Sequence, residues 1–278
     1  MTTIAMDAIR PETGDGSVHF GLVELDLLSA HAGVPFPFPL RVPSFGRIAG
    51  EREVLLAAAG QTLGVRGLAD ESGPVGVAAE LVTALREYRG TIDLVLVGEH
   101  GTTGIVAMVY RSRALICSQS LNDVPDGTVR IRRVADIALA DALIGMVPEV
   151  APAKAMPITL PARAVDTATQ LIDGISDAAE KERLLRDLVR DCGGDPDVLD
   201  QLVGLLPTQT GLGQLGATRR SGARIKRAGT ELSWLDGPRG RVQVNRAADD
   251  SWVSVNPLRR DSVRFALEDL ATIARKPR

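Results

Sequence analysis

The feature that most constrains this chain is a long-period echo. Pro39-Leu40-Arg41-Val42-Pro43 returns as Pro157-Ile158-Thr159-Leu160-Pro161. Each copy is followed by two helical stretches, a Gly-rich run of short strands and one amphipathic helix. A period of roughly 120 residues is far beyond the roughly 20–50 of a solenoid unit. The expectation is a duplicated half-domain, two related lobes that share one sheet. The two meanders align as Arg113–Ser118 with Arg241–Arg246, and Val129–Ile131 with Val253–Val255.

At 278 residues the chain is long enough to bury a core without disulfide or metal staples. Aromatic residues make up only 3%, so that core is built from Ala, Val, Leu and Ile. A net charge of −3 gives no global attraction to nucleic acid or to an anionic membrane. Cys117 and Cys192 are lone residues in apolar stretches, read as buried reduced thiols in a reducing compartment. The stretch Met1–Asp15 lacks the basic start and apolar block of a signal peptide. Asp136 and Asp141 interrupt the longest apolar stretch, Val134–Val147, so no membrane insertion is expected. The expectation is a soluble cytoplasmic protein.

Residues 1–17 read as a mobile tail, and 18–278 as one domain with pseudo-repeat halves at about 18–150 and 151–274. Val18–Leu28 opens with a strand that runs into a short helix. The three prolines of Pro35–Pro39 remove three backbone donors, which makes this an extended connector into an edge strand, Leu40–Val42. Helical periodicity marks Glu51–Leu63 and a second helix after Pro74 with Val77, Leu81, Leu85 and Tyr88 inward. Ile92–Val97 and Ile105–Tyr110 flank Gly98-Glu99-His100-Gly101-Thr102-Thr103-Gly104, a hairpin with a loop of several residues. Strands Ala114–Gln119 and Thr128–Ile131 follow, and Val134–Val147 closes the half as a helix.

The second half reads the same way. Ala162–Ile175 and Ala178–Cys192 are helices, the latter with Leu184, Leu185, Leu188 and Val189 inward and Lys181, Arg183, Arg186 and Arg190 outward. Asp195 and Pro196 start a further short helix reaching Leu206. Five strands then lead to a last helix capped by Asp261, with Val263, Leu267, Leu270 and Ile273 as its buried stripe.

Catalytic patterns are missing. Gly211-Leu212-Gly213-Gln214-Leu215-Gly216 spells GxGxxG with Asp236 beyond it, yet a helix precedes it and a strand end follows. A dinucleotide site needs the reverse order, a strand before the glycines and a helix N-terminus after them, so a Gly-rich strand is the reading. The three histidines have no metal-ligand spacing, and no catalytic or cofactor motif occurs. Arg219, Arg220, Arg224, Lys226 and Arg227 cluster on one hairpin, read first as an exposed charged hairpin and second as a surface for an acidic partner; no aromatic platform interleaves them for nucleic acid.

The C-terminal run Gly240–Pro257 followed by a helix resembles the EspG family, whose pattern there is matched by Gly240, Arg241, Val242, Val244, Trp252, Ser254 and Pro257. Phe20–Phe38, with Leu25 and Asp26 ahead of Pro-Phe, is similar to that family's opening. The resemblance implies an α+β fold of quasi-twofold duplicated half-domains, a central, largely antiparallel β-sheet flanked by two helical bundles. It also implies a cytosolic chaperone of type VII (ESX) secretion that binds the exposed tip of a helical substrate, a PE/PPE heterodimer or another small helical protein, without cofactor, metal or turnover. The contact would fall on the hairpin, Gly98, Glu99, His100, Gly101, Thr102, Thr103 and Gly104, and on the bundle 178–206. Arg183, Arg186, Arg190, Arg219 and Arg220 are the basic residues expected to support it. A homodimer in the free state is compatible with this reading. The alternative is a nucleic-acid-binding or regulatory scaffold that uses the basic hairpin 219–227.

Overall fold

The computed structural model describes residues 16–122, 127–154, 156–171, 177–196, 210–222, 224–247 and 249–276. The first lobe opens with β1 (Ser17–Gly21), α1 (Leu22–Ala32) and α2 (Ala49–Val65). A small ribbon, β2 (Ala69–Asp70) and β3 (Gly73–Pro74), leads to α3 (Gly76–Glu87). The meander β4 (Gly90–Gly98), β5 (Gly101–Tyr110), β6 (Arg113–Ser120) and β7 (Thr128–Ala135) follows, then α4 (Leu139–Ile144). The second lobe runs β8 (Ile158–Pro161), α5 (Ala162–Leu171) and α6 (Ala178–Asp191). It continues with β9 (Gly211–Ser221), β10 (Arg224–Arg227), β11 (Leu232–Gly237), β12 (Gly240–Arg246), β13 (Trp252–Pro257) and α7 (Arg260–Arg275).

The described strands form an eleven-stranded sheet of order β1-β7-β6-β5-β4-β9-β11-β12-β13-β8, with β10 beside β9. Every strand pair in it is antiparallel. Read outward from the central β4–β9 pair, the two lobes have the same plan: four meander strands, then the strand that precedes the lobe's own helices. Leu94 faces Leu215 at the seam. The α+β class and the largely antiparallel sheet expected from the sequence are what the chain forms.

The echo that suggested duplication is not the repeat that the fold uses. Pro157–Pro161 spans edge strand β8, whose counterpart is β1, not Pro39–Pro43. Leu40–Val42 forms no strand. The Gln119 side chain takes the place of a partner strand there, accepting from the Arg41 N–H at 2.7 Å and donating to the Arg41 carbonyl at 2.9 Å. The pair Cys117–Ile131 corresponds to Val244–Val255, each pair packed against the helices on the same side of its lobe. That places Leu115 opposite Val242, one residue away from the sequence alignment of Arg113 with Arg241. A one-residue slip moves every side chain to the other face, which is why weak identity could not fix it.

Strand alternation separates two layers. On one face Ile92, Leu94, Ile105, Leu215 and Trp234 pack under α4 and α7 with Leu143, Leu267 and Leu270. On the other, Val106, Met108, Leu115 and Cys117 pack with Leu25, Leu63, Leu81 and Leu85 of α1–α3, and Ile158, Leu160, Val242 and Val255 pack with Leu185 and Val189 of α6.

Three expected elements change. Val134–Val147 is the end of β7, a 3-10 turn (Asp136–Ala138) and the short α4, because Val134 pairs with Ala114 and extends the ladder. The last helix takes Arg259 as N-cap, with Asp261 inside its first turn. Ser17, read as tail, opens β1 and is buried. The expected helix after Pro196 falls on 197–209, outside the described residues, as do residues 1–15 of the expected tail.

Candidate functional site

The hairpin Gly98–Gly104 is tighter than a loop of several residues. Gly98 pairs with Gly101, so only Glu99 and His100 form the turn. Thr102, Thr103 and Gly104 sit in β5 opposite Val97, Leu96 and Val95. Gly101 has φ +107, a backbone that L side chains rarely adopt. Asn122 ties the turn down: its Oδ1 accepts from the Thr102 N–H at 2.9 Å, and its Nδ2 donates to the His100 carbonyl at 3.2 Å. Gly104 is a point of close packing rather than of freedom, since a Cβ there would lie 2.9 Å from Leu121 Cδ1 and 3.0 Å from Pro39 Cγ.

Beside this turn lies a cleft of about 610 Å³ that sequence reasoning missed. Leu22 at the start of α1, Leu40, Val42 and Pro43 form one side, and Leu121 and Asn122 at the end of β6 form the other. Its walls are about 80 residues apart in sequence, so no local pattern announces it. Phe38, 62% exposed, precedes the Pro39 that packs near Gly104, and Val97, 40% exposed, faces the same hairpin.

The other expected contact residues lie elsewhere. Arg183, Arg186 and Arg190 are on α6; Arg186 reaches Glu182 at 3.7 Å and Arg190 bonds Asp187 at 2.8 Å, both within one helix turn. Leu185 and Val189 face the core as expected, while Leu184, read as inward, is 37% exposed. Arg219 and Arg220 lie at the opposite end of the central pair from the turn, because Gly90 faces Arg219 whereas Val97 faces Leu212. Seven residue steps along the strand put about 23 Å between these two pairs. Arg220 is used within the fold: Nη1 donates to the Arg86 carbonyl at 2.9 Å at the end of α3, and its guanidinium lies 5.0 Å over the Tyr88 ring.

Arg227 bonds both Asp93 and Glu231. Burial pushes the Asp93 carboxyl above its ordinary range, although Arg227 pulls in the other direction. Arg224 and Lys226 remain exposed. Burial alone pushes the Cys117 thiol up to about 12, which makes it inert at neutral pH.

The glycines of the GxGxxG run have packing roles. A Cβ at Gly213 would overlap the Trp234 indole, and one at Gly216 would overlap the Arg227 guanidinium. Asp236, the would-be ribose ligand, forms a bidentate pair with Arg241: Nε to Oδ1 at 2.6 Å and Nη2 to Oδ2 at 2.8 Å. Arg241 is 1% exposed, stacks 5.2 Å over the Trp234 ring and donates to the Pro148 carbonyl at 3.0 Å. Its backbone binds Ala151, Ala153 and Leu258. Gly240, at φ +110, lets Ala151 and Ala153 approach. The Gly240-Arg241-Val242 motif is thus a structural clamp where the inter-lobe segment meets the second meander. Among the described residues no group of three His, Cys, Asp or Glu is placed to hold a metal, and no helix is long and apolar enough to cross a membrane.

Comparison with known proteins gives the context for this geometry. The fold is similar to that of the Mycobacterium tuberculosis type VII secretion system chaperone EspG5, solved in complex with the PE25–PPE41 dimer. The TM-score is 0.64 at 12% identity, over 91% of this chain and 95% of that one. HtdX of the same organism aligns only at a TM-score of 0.15 with 9% identity, over 87% of this chain and 100% of that one, and carries no argument. No curated protein matches. The sequence itself matches the model of the EspG family over residues 22–269, and the chain belongs to that family.

Proposed function

We propose that this protein is a cytoplasmic chaperone that binds the exposed tip of a helical type VII secretion substrate of the PE/PPE class and keeps it soluble until export. It works by binding, without turnover. Family membership and the likeness to a chaperone solved with a PE–PPE dimer support the reading. The observation that carries it is the apolar cleft lined by Leu22, Leu40, Val42 and Leu121, with the exposed Phe38 next to the Pro39 that packs near Gly104 of the hairpin and the exposed Val97 in the hairpin's first strand. A helix tip that exposes apolar side chains aggregates unless covered. A cleft of about 610 Å³ is large enough to bury several such side chains. The polar turn at Glu99 and His100 supplies the rim that such interfaces carry.

The test is co-expression with a PE/PPE heterodimer, followed by size exclusion and affinity measurement. Phe38→Asp is expected to weaken the complex about tenfold or more, the effect of removing a central apolar anchor. Phe265→Asp is the control: that side chain is 73% exposed on α7, on the other face of the sheet. Failure of the wild type to retain any heterodimer, or equal affinities for all three proteins, overturns the proposal.

A further inference from the structure

β10 leaves an open edge in the middle of the sheet. It pairs with the far half of β9, beyond the stretch that β11 covers: Leu232 faces Leu215, whereas Arg227 faces Thr218. Among the described residues no strand pairs with its other side. All four of its residues, Arg224–Arg227, are exposed. The Ala228 N–H bonds the Ala217 carbonyl at 3.0 Å, in register with the β9–β10 ladder. Hydrogen-bonded pairs alternate along an antiparallel ladder, so Arg224 and Lys226 bond back to β9, while Ile225 and Arg227 turn their N–H and C=O outward. The Arg220 N–H, opposite Ile225, agrees with this: it points away from β10 and bonds the Arg89 carbonyl at 2.8 Å.

The side chains of this edge alternate in chemistry. Arg224 and Lys226 share one face, Ile225 and Arg227 the other. Among the described residues the Arg224 and Lys226 side chains make no hydrogen bond or ion pair. Ile225 is 52% exposed, an apolar group between two cations. Arg227 is engaged: it passes over Gly216, where a Cβ would overlap its guanidinium, to bond Asp93 in β4, and it bonds Glu231 as well. That latch holds the strand in place before anything docks, which lowers the ordering cost of binding.

We propose that β10 is a docking edge for an extended acidic segment of a partner protein, added as a further strand. The segment that fits alternates acid, apolar, acid, with the acids across from Arg224 and Lys226 and the apolar residue across from Ile225. Main-chain bonds at Ile225 and Arg227 supply affinity, and the alternating side chains supply selection. Opposite charges across a strand pair stabilise it and like charges destabilise it. A second copy of β10 is thereby rejected, because antiparallel pairing about Ile225 sets Arg224 against Lys226. The edge lies at the end of the central pair away from the Gly98–Gly101 turn, since Thr218 faces Thr91 whereas Leu212 faces Val97. Docking here does not compete with occupation of the cleft at Leu40 and Leu121, and it does not depend on what that cleft binds.

The full-length protein is titrated by fluorescence anisotropy with a labelled peptide of alternating glutamate and valine. The comparisons are the same peptide with lysine for glutamate, the glutamate peptide N-methylated at every peptide bond, and a labelled single-stranded oligonucleotide. The glutamate peptide is expected to bind and the other three not. Ile225→Pro removes one outward N–H and leaves the bonds to β9 in place, so it is expected to weaken binding about fivefold or more. Arg224→Glu combined with Lys226→Glu is expected to weaken it about tenfold and to admit the lysine peptide. Far-UV circular dichroism checks that the variants fold, and the two act on the edge independently. No binding of the glutamate peptide, equal binding of its N-methylated form, or binding of the oligonucleotide in its place overturns the proposal. So does a peptide affinity unchanged in either variant.

Discussion

Replacing Arg241 with alanine removes three things at once: the bidentate partner of Asp236, the donor to the Pro148 carbonyl and the cation over Trp234. The Asp236 side chain is only 9% exposed, so its carboxylate would be left buried without a counter-charge. Breaking one side of such a pair costs about 3–5 kcal/mol. That is a large fraction of the roughly 5–15 kcal/mol that holds a folded protein together. With a urea m-value of about 3 kcal/mol/M, the unfolding midpoint should fall by about 1–1.7 M. The double variant Arg241→Met with Asp236→Leu removes both charges and fills the space. It is expected to return to wild-type stability or beyond, as replaced buried pairs often do. Urea melts of the three proteins, followed by the fluorescence of Trp234 and Trp252, decide the matter. A loss below about 1 kcal/mol in Arg241→Ala, the scale of an exposed pair, would refute the reasoning. So would a double variant less stable than the single one.

Gly213→Ala pushes a methyl into the Trp234 indole, and overpacking of this kind costs about 1–3 kcal/mol. At roughly 2–4 °C per kcal/mol a thermal melt should show the loss clearly, and an unchanged midpoint would refute the packing role. Asp93 gives a pH signature. Burial raises its carboxyl pKa above the unfolded value, so its contribution to stability is fully present below the ordinary carboxylate pKa and is lost as pH rises through the folded value. The stability difference between wild type and Asp93→Asn should therefore decline from about pH 4 upward. A difference that grows with pH would mean that the pairing with Arg227 dominates.

Elements whose signal is local were legible in the sequence. The α7 stripe Val263, Leu267 and Leu270 and the inward face of α6 at Leu185 and Val189 follow from helical period alone. The glycines at 213 and 216 could be recognised as strand residues because the surrounding order was wrong for a nucleotide loop, although their reason, room for Trp234 and Arg227, is tertiary. The hairpin was misjudged because Gly101 to Gly104 reads as loop by composition, while the pairing of Gly98 with Gly101 closes it after two residues. The cleft was invisible since it joins Leu40 to Leu121. Arg220 reads as free positive charge until the end of α3 is placed beside it. The correspondence of the lobes was detectable as layout but not as register, because register is set by partner strands rather than by neighbours in sequence.

The seam between β4 and β9 has a consequence during synthesis. Ile92 and Leu94 leave the ribosome in a strand whose second neighbour, around Leu215, is translated roughly 120 residues later. At about 5–20 residues per second the nascent first lobe spends about 6–24 s with a raw apolar edge on offer to any passing strand. The chain thus begins life with an unpaired strand edge at the centre of its own sheet. Slowing translation through that interval should raise its aggregation.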